Sequence, residues 1–467
     1  MIRRTFSIIF LVLLCPMAAF AQLELKEKLD KLLEEDFLKT SEVGISVYDL
    51  TDDMSLYTYQ NNKLYRPASI QKLLTAITGL SVLGPRYHFS TSLYYTGKIQ
   101  NDTLNGDLYV VGGLDSEFID SSMNGMVRML SQTGIKTVTG KFIADISMTD
   151  SLYWGAGWSW DDAPYSFQPK ISPLMLQKGY VEIYANPGKK DSLAELVCVP
   201  ASSYYTIKNQ TVSNNPEMGK LDVSRNWIEN KNDIVVTGNV ESAKRERITV
   251  SCSADFFMYT FMQRAKEKGI QLPGYIFGEL PKDSSAVFFA RLSHPFRLVL
   301  QRAMKNSDNL SAEAILYNTA AKNSGKKHLN REDGVKVVQR VISELGFNPK
   351  DYNIVDGCGV SLYNYISPEL LIAYLKYAYS QKYIFKELYP ALPIAGVDGT
   401  LSGRMKEGKA YKNVHAKTGS VTGVSSLAGY VTASNGHLMA FTIINQNVME
   451  NAKARAFQDK VCELLCE

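Results

Sequence analysis

Leu25, Leu29, Leu32 and Leu33 recur at short intervals among glutamates and lysines, the spacing of one apolar helix face. Gly44 to Tyr48 and Leu56 to Tyr59 then read as strands, with Asp52-Asp53 supplying the turn between them. Leu73, Leu74, Ile77, Leu80 and Leu83 restore a helical stripe, which stops at Gly84-Pro85. From about 90 to 285 the texture differs. Short tyrosine- and valine-rich runs, such as Leu108 to Gly113 and Asp233 to Gly238, alternate with turn residues and read as strands. Helical spacing returns from Leu292, over 296–305 and 311–322. Ser426 to Thr432 and His437 to Ile444 are the last strands, joined by the hairpin signal Ser434-Asn435-Gly436, and a helix follows over about 450–466. The pattern predicts an α/β (α+β) body over 22–90 and 286–467, interrupted by a long β-rich insertion over 91–285.

The first 21 residues stand outside this pattern. Arg3 and Arg4 precede an apolar run from Phe6 to Leu14, and Ala19-Phe20-Ala21 is a small-x-small cleavage signal before Gln22. The run falls short of the ~20 apolar residues that span a bilayer. Leu14 is too bulky for a lipid-attachment signal at Cys15. Residues 1–21 are therefore expected to be a signal peptide, and the remainder an exported, periplasmic chain, soluble or peripherally membrane-associated.

Composition narrows the function classes. Of 467 residues, 45% are apolar and 21% charged, which excludes global disorder and permits a sizeable core. The net charge is +4, and Arg3 and Arg4 belong to the leader, so the mature chain is close to neutral. Such a balance excludes a nucleic-acid binder that relies on phosphate neutralisation. Export permits disulfides, but the five cysteines beyond the leader read as structural or incidental, at least one is without an intramolecular partner, and Cys198–Cys252 is the only pair to test for a bridge. Without a CxxC, and with the five histidines scattered, no metal site and no cofactor are expected.

Three short motifs carry chemistry. Ser69-Ile70-Gln71-Lys72 opens the apolar helix, and a serine and a lysine three positions apart share a helix face. A neutral lysine amine can then take the serine proton. The motif alone is weak, since S-x-x-K arises about once or twice by chance in a chain of this length. Ser324-Gly325-Lys326-Lys327 is such a match, read as a solvated loop. Ser307-Asp308-Asn309 falls in a polar break between helical stretches. There a hydroxyl can relay a proton and a carboxamide can hold a peptide group, or the three residues simply cap a helix. In Lys417-Thr418-Gly419 the ammonium and hydroxyl suit a carboxylate. On an edge strand Gly419 would let substrate backbone lie close, and the Ser420 N–H would be free to donate. No G-x-S-x-G elbow is present, and His415, two positions before Lys417, reads as a packing or surface residue.

The ordered set of three motifs resembles the signature of penicillin-binding proteins and serine β-lactamases. Gly157-Trp158-Ser159-Trp160-Asp161-Asp162, the segment from Asp356 to Asn364, and that from Leu392 to Leu401 are similar to the class C type-4 penicillin-binding proteins. These are the D-alanyl-D-alanine carboxypeptidase/endopeptidases of peptidase family S13, and the likeness covers nearly the whole mature chain. The resemblance implies a transpeptidase-like catalytic domain with two small domains inserted between Ser69 and Ser307. It implies peptidoglycan stem peptides as substrates, and β-lactams as covalent inhibitors. It gives Ser69 the nucleophilic attack and Lys72, kept neutral by Lys417, the proton. Ser307 relays a proton to the leaving amine, Asn309 orients the substrate, and Lys417 with Thr418 binds the terminal carboxylate. It also places Asp162 on the amino group, and Arg404 on the carboxylate, of a diaminopimelate side chain. Cys358 departs from the family, where a small residue such as serine is usual. A β-lactamase, a catalytically silent wall-binding or β-lactam-sensing protein, and a periplasmic scaffold are the competing readings.

Overall fold

The computed structural model describes residues 22–467, so the expected signal peptide lies outside the described residues. The chain forms two compact units. One holds the residues up to Thr78, Met304–Ser307 and Val338–Glu467; the other holds Gly79–Ala303 and Asp308–Val337.

The first unit is built on a five-stranded antiparallel sheet. Its strands, in spatial order, are His415–Val421, Val424–Thr432, Leu438–Gln446, Glu42–Asp49 and Met54–Tyr59. Side chains alternate across it, as strand geometry requires. Val43, Ile45, Val47, Leu427, Val431, Phe441 and Ile443 enter one core with Leu29, Phe457, Val461 and Leu465. These last four come from a helix over 22–32 and the C-terminal helix Asn451–Leu465. On the opposite face, Gly44 has Tyr65 and Pro368 against it, and Tyr430 donates to the Leu375 carbonyl from the helix Pro368–Ser380. A Cβ at Gly44 would lie 2.6 Å from the Tyr65 ring, so the close packing there requires glycine. Covered on both faces, Val424–Thr432 is buried almost throughout, although its sequence is rich in small residues. The predicted strands, the Ser434-Asn435-Gly436 hairpin and both terminal helices are present. Gly436 takes a φ of 86° in that turn, which favours glycine.

The second unit contains a five-stranded sheet ordered Tyr275–Phe277, Phe142–Asp145, Leu108–Gly112, His88–Tyr95 and Val287–Pro295, together with three smaller three-stranded sheets. Its core gathers Phe118, Phe142, Phe256, Phe257 and Phe261 with Met126 and Leu130. Two helices inside the stretch expected to be strand-rich, Asp120–Gln132 and Ser253–Glu267, differ from the sequence expectation. Asp120–Gln132 is rich in Ser, Asn and Gly, residues of low helix propensity. Its signal is instead the spacing of Met123, Met126, Val127 and Leu130, all buried on one face.

The Cys198–Cys252 bridge is not formed; both thiols are free. Cys198 lies on Glu195–Val199, while Cys252 follows Lys244–Thr249 on the other side of the shared strand Tyr180–Asn186. Two strand spacings of about 4.8 Å exceed the ~7 Å limit on Cα separation for a disulfide. Among the described residues no helix is long and apolar enough to cross a membrane.

Candidate active site

Ser69 sits in the short 3-10 turn Ala68–Ile70 that leads into the helix Gln71–Leu83. Lys72, in the first turn of that helix, is fully buried, and its Nζ donates to Ser69 Oγ at 2.8 Å and to the Cys358 carbonyl at 2.6 Å. The two residues meet because three positions on a helix return to one face. Ala68 holds a φ of 51°, the left-handed region that a non-glycine residue occupies only when its surroundings enforce it.

The turn from Asp356 to Ser361 supplies part of that enforcement. Buried Asp356 accepts from the Gly359 and Ser361 amides and from Asn364 Nδ2, each at 2.7 Å. This directs the Gly357 carbonyl to Thr75 Oγ1 and the Cys358 carbonyl to Lys72. Gly359 presses on the turn before the serine: a Cβ there would lie 1.9 Å from the Ala68 carbonyl oxygen. Cys358 therefore contributes a main-chain oxygen, and its thiol, fully buried, points to Asp356 at 3.5 Å. Cys358→Ser is expected to retain β-lactam acylation within a few-fold of the parent, measured by stopped-flow.

Lys417 lies on His415–Val421, the edge strand of the sheet. Its Nζ donates to Ser307 Oγ at 2.9 Å and to the Thr418 carbonyl at 2.7 Å. Burial, and then the charge of Lys72, push the Lys417 amine well below its ordinary value. Ser307 is itself in the left-handed region, with a φ of 55°. Thr418 Oγ1 donates to Thr400 Oγ1 at 2.7 Å.

Gly419 is the point of closest approach. A Cβ there would stand 2.8 Å from the Pro67 carbonyl oxygen and 2.9 Å from the Ser69 nitrogen, with Ser426 Oγ nearer still. The hydroxyl could rotate away, but the two main-chain atoms belong to the turn that carries Ser69. Gly419→Ala is expected to lower the acylation rate by about 10²-fold, the scale of an ångström-sized misplacement. Stopped-flow mixing with a chromogenic β-lactam measures it. Ser420, next along, is exposed, and its Oγ accepts from Asn451 Nδ2 at 3.3 Å. His415–Val421 is the edge strand of its sheet, and the start of its outer row is met by Pro393 and Ile394, with the Ala416 amide donating to the Pro393 carbonyl at 2.9 Å.

His415 is a packing residue. Its ring stacks on Tyr389 at 4.1 Å, and burial lowers its pKa below the ordinary histidine value. Arg404 lies against the C-terminal helix: Nε and Nη2 donate to Asp459 Oδ1 at 3.0 and 2.6 Å, and Nη2 also reaches Gln458 and the Arg455 carbonyl. Its charge is thus matched from the C-terminal helix, and its side chain is 13% exposed.

In the second unit, Asp308 caps the helix Asn309–Ser324 by accepting from the Ser311 amide at 2.8 Å, so the capping reading holds for the middle residue of Ser307-Asp308-Asn309. Asn309 is buried and its Nδ2 donates to the Phe167 carbonyl at 2.6 Å. Asp162 ends the short turn Trp160–Asp162. Burial, then Asp161, raise its carboxyl above the ordinary value, and it has no ion-pair partner among the described residues. Sequence reasoning gave no role to Asp356, the Cys358 carbonyl or Thr400, although the segments that hold them, Asp356 to Asn364 and Leu392 to Leu401, carry the family resemblance. The role of Cys358 is main-chain and leaves no side-chain signature.

The model of the D-Ala-D-Ala carboxypeptidase 3 (S13) family matches residues 25–467. The chain is 27% identical over 432 residues to the D-alanyl-D-alanine carboxypeptidase DacB of Haemophilus influenzae, covering 90% of this chain and 88% of that one. It is 28% identical over 461 residues to a D-alanyl-D-alanine carboxypeptidase of Actinomadura, covering 95% and 85%. Among solved structures, penicillin binding protein 4 of Haemophilus influenzae superposes with a TM-score of 0.81 at 24% identity, over 94% of this chain and 99% of that one. A second structure of that protein, complexed with a β-lactam, superposes at 0.74, with 24% identity, over 93% of this chain and 98% of that one.

Proposed function

The chain belongs to the D-Ala-D-Ala carboxypeptidase 3 (S13) family, and on that premise we propose that Ser69 is the nucleophile with which it cleaves the bond after D-alanine in peptidoglycan stem peptides. The observation that carries this reading is the 2.8 Å contact of Lys72 Nζ with Ser69 Oγ, at a turn wedged between Gly359 and Gly419.

Ser69 Oγ attacks the carbonyl carbon, and its proton passes to Lys72 Nζ as the tetrahedral oxyanion forms. The Ser69 and Ser420 main-chain N–H groups hold that oxyanion. Collapse expels D-alanine, whose amine takes a proton through Ser307, the hydroxyl that Lys417 contacts. Lys417 and Thr418 hold the terminal carboxylate. An arriving anion offsets the burial that depresses Lys417 and favours its charged form. Water then hydrolyses the ester and regenerates Ser69. The same acyl-enzyme serves cleavage of a cross-link, so endopeptidase action uses the same residues. Asn309 orients the stem's backbone, and Asp162 is the candidate for an amino group on its third residue. A β-lactam presents a strained amide and a carboxylate to the same groups and acylates Ser69. Export directed by residues 1–21, and work in the periplasm, belong to this reading.

Brief exposure to benzylpenicillin, followed by intact and peptide-mapped mass, tests it. A lasting adduct on Ser69 is expected. Rapidly hydrolysed penicillin with no adduct makes the protein a β-lactamase; intact penicillin with no adduct makes it a binding or scaffold protein.

A further inference from the structure

We propose that Lys178, from the β-rich stretch far from any motif, is a positioning residue for the Ser307-Asp308-Asn309 turn. Its Nζ lies 2.8 Å from Glu117 Oε1, 3.1 Å from Asp308 Oδ1 and 3.1 Å from the Ser116 carbonyl oxygen. The same Asp308 oxygen accepts from the Ser311 amide at 2.8 Å and from Ser311 Oγ at 2.6 Å. Three donors thus converge on one carboxylate oxygen, and two of them come from the helix that Asp308 caps. Capping fixes Asp308 relative to its own helix. Lys178 is the donor that ties it to something outside that helix.

The lysine is held to this task. Its side chain is 12% exposed and that of Glu117 is 5% exposed. Arg302 Nε adds a contact to Glu117 Oε2 at 3.3 Å, so the buried charges are matched. Gln177 and Lys178 both adopt left-handed backbone angles, φ 47° and 56°, followed by Gly179 at 74°. Two consecutive non-glycine residues stay in that region only when their surroundings enforce it. Burial opposes the charge on both partners, yet Asp308 and Glu117 raise the Lys178 pKa, and Lys178 with Ser311 keeps the Asp308 carboxyl low. Both groups are therefore ionised.

Asp308 is joined by peptide bonds to Ser307 and Asn309, whose roles were assigned above, and Ser307 has its own left-handed φ of 55°. A carboxylate pinned at that place sets the path of the turn on either side. The inference rests on the functional reading above, because it is the acylation step that the alignment serves.

The test compares the full mature chain with K178M and K178R by saturation kinetics of benzylpenicillin acylation, separating the acylation constant k2 from the binding constant. K178M is expected to lower k2 by about 10²-fold while binding changes less, as for a displaced catalytic group. K178R, which keeps the charge, is expected to recover much of the loss. Val127→Ala, a cavity in the core of the same unit, provides the control: its melting temperature falls while k2 holds. Where K178M does not fold, Lys178→Gln replaces it. A normal k2 in the folded Lys178 variants, or a Val127→Ala loss of k2 equal to theirs at equal loss of stability, overturns this inference alone. A parent protein that forms no Ser69 adduct overturns the functional reading and this inference with it.

Discussion

Ser69→Ala is expected to abolish turnover of D-Ala-D-Ala peptides, with a loss of ~10³-fold or more, and to leave no penicillin adduct anywhere on the chain. The loss is large because, on the proposed mechanism, the hydroxyl forms the covalent bond on which both halves of the reaction depend. Nothing near it substitutes: Ser307 Oγ is contacted by Lys417, whereas the turn and Lys72 are built around Ser69. The variant should keep its fold, since the hydroxyl's contact is with the lysine amine. A melting temperature close to the parent's, together with absent acylation, is the combined result. Retention of most activity would sink the nucleophile assignment.

Lys72→Met is the second large effect, and its sign on stability differs from its sign on rate. Removing a general base from an acylation step costs about 10²–10⁴-fold. Penicillin acylation should fall by that amount even though Ser69 remains. Yet Lys72 is fully buried, and a thioether of similar length in its place spares the cost of holding an amine away from water. The melting temperature is therefore expected to hold or rise. The Cys358 carbonyl and Ser69 Oγ, deprived of their donor, are among the losses that work against this gain. Lys72→Arg should fail as a catalyst too, because a guanidinium does not give up its proton at working pH. Calorimetry beside acylation kinetics reads both signs in one set of variants.

The sequence was most legible where side chains repeat or react. Leu29, Ile77 and Leu80 are buried, as their spacing implied. Ser69, Lys72, Ser307 and Lys417 came from motif residues whose chemistry is carried by the side chain. Legibility failed where the chain uses its backbone: the Cys358 carbonyl as an acceptor for Lys72, and the close approach of Gly419 to Ser69. It failed also where a feature depends on a distant partner. Arg404 carries the right charge for an anionic ligand, but the sequence gives no sign that Asp459 claims it. Cys198 and Cys252 could be paired on paper only because the strand between them was unknown. Asp120–Gln132 was hidden by poor helix formers, and its stripe of methionines was the clue.

The sheet of the first unit has a temporal consequence. Glu42–Asp49, near the start of the chain, pairs along its whole length with Leu438–Gln446, near the end, and so does its core with the last helix. Contacts of such long range form slowly and only once both partners exist. A ribosome that has delivered Ser69 and Lys72 has hundreds of residues still to add before Lys417 and the strands beside it emerge. The second unit can begin to fold in that interval, as domains do during synthesis. On the proposed mechanism, Ser69 lacks the lysine that holds the substrate carboxylate until the final strands are delivered. On the proposed mechanism a chain that ends before Lys417 is expected to be inert, and one that lacks the last helix leaves open the core behind the sheet that carries Lys417.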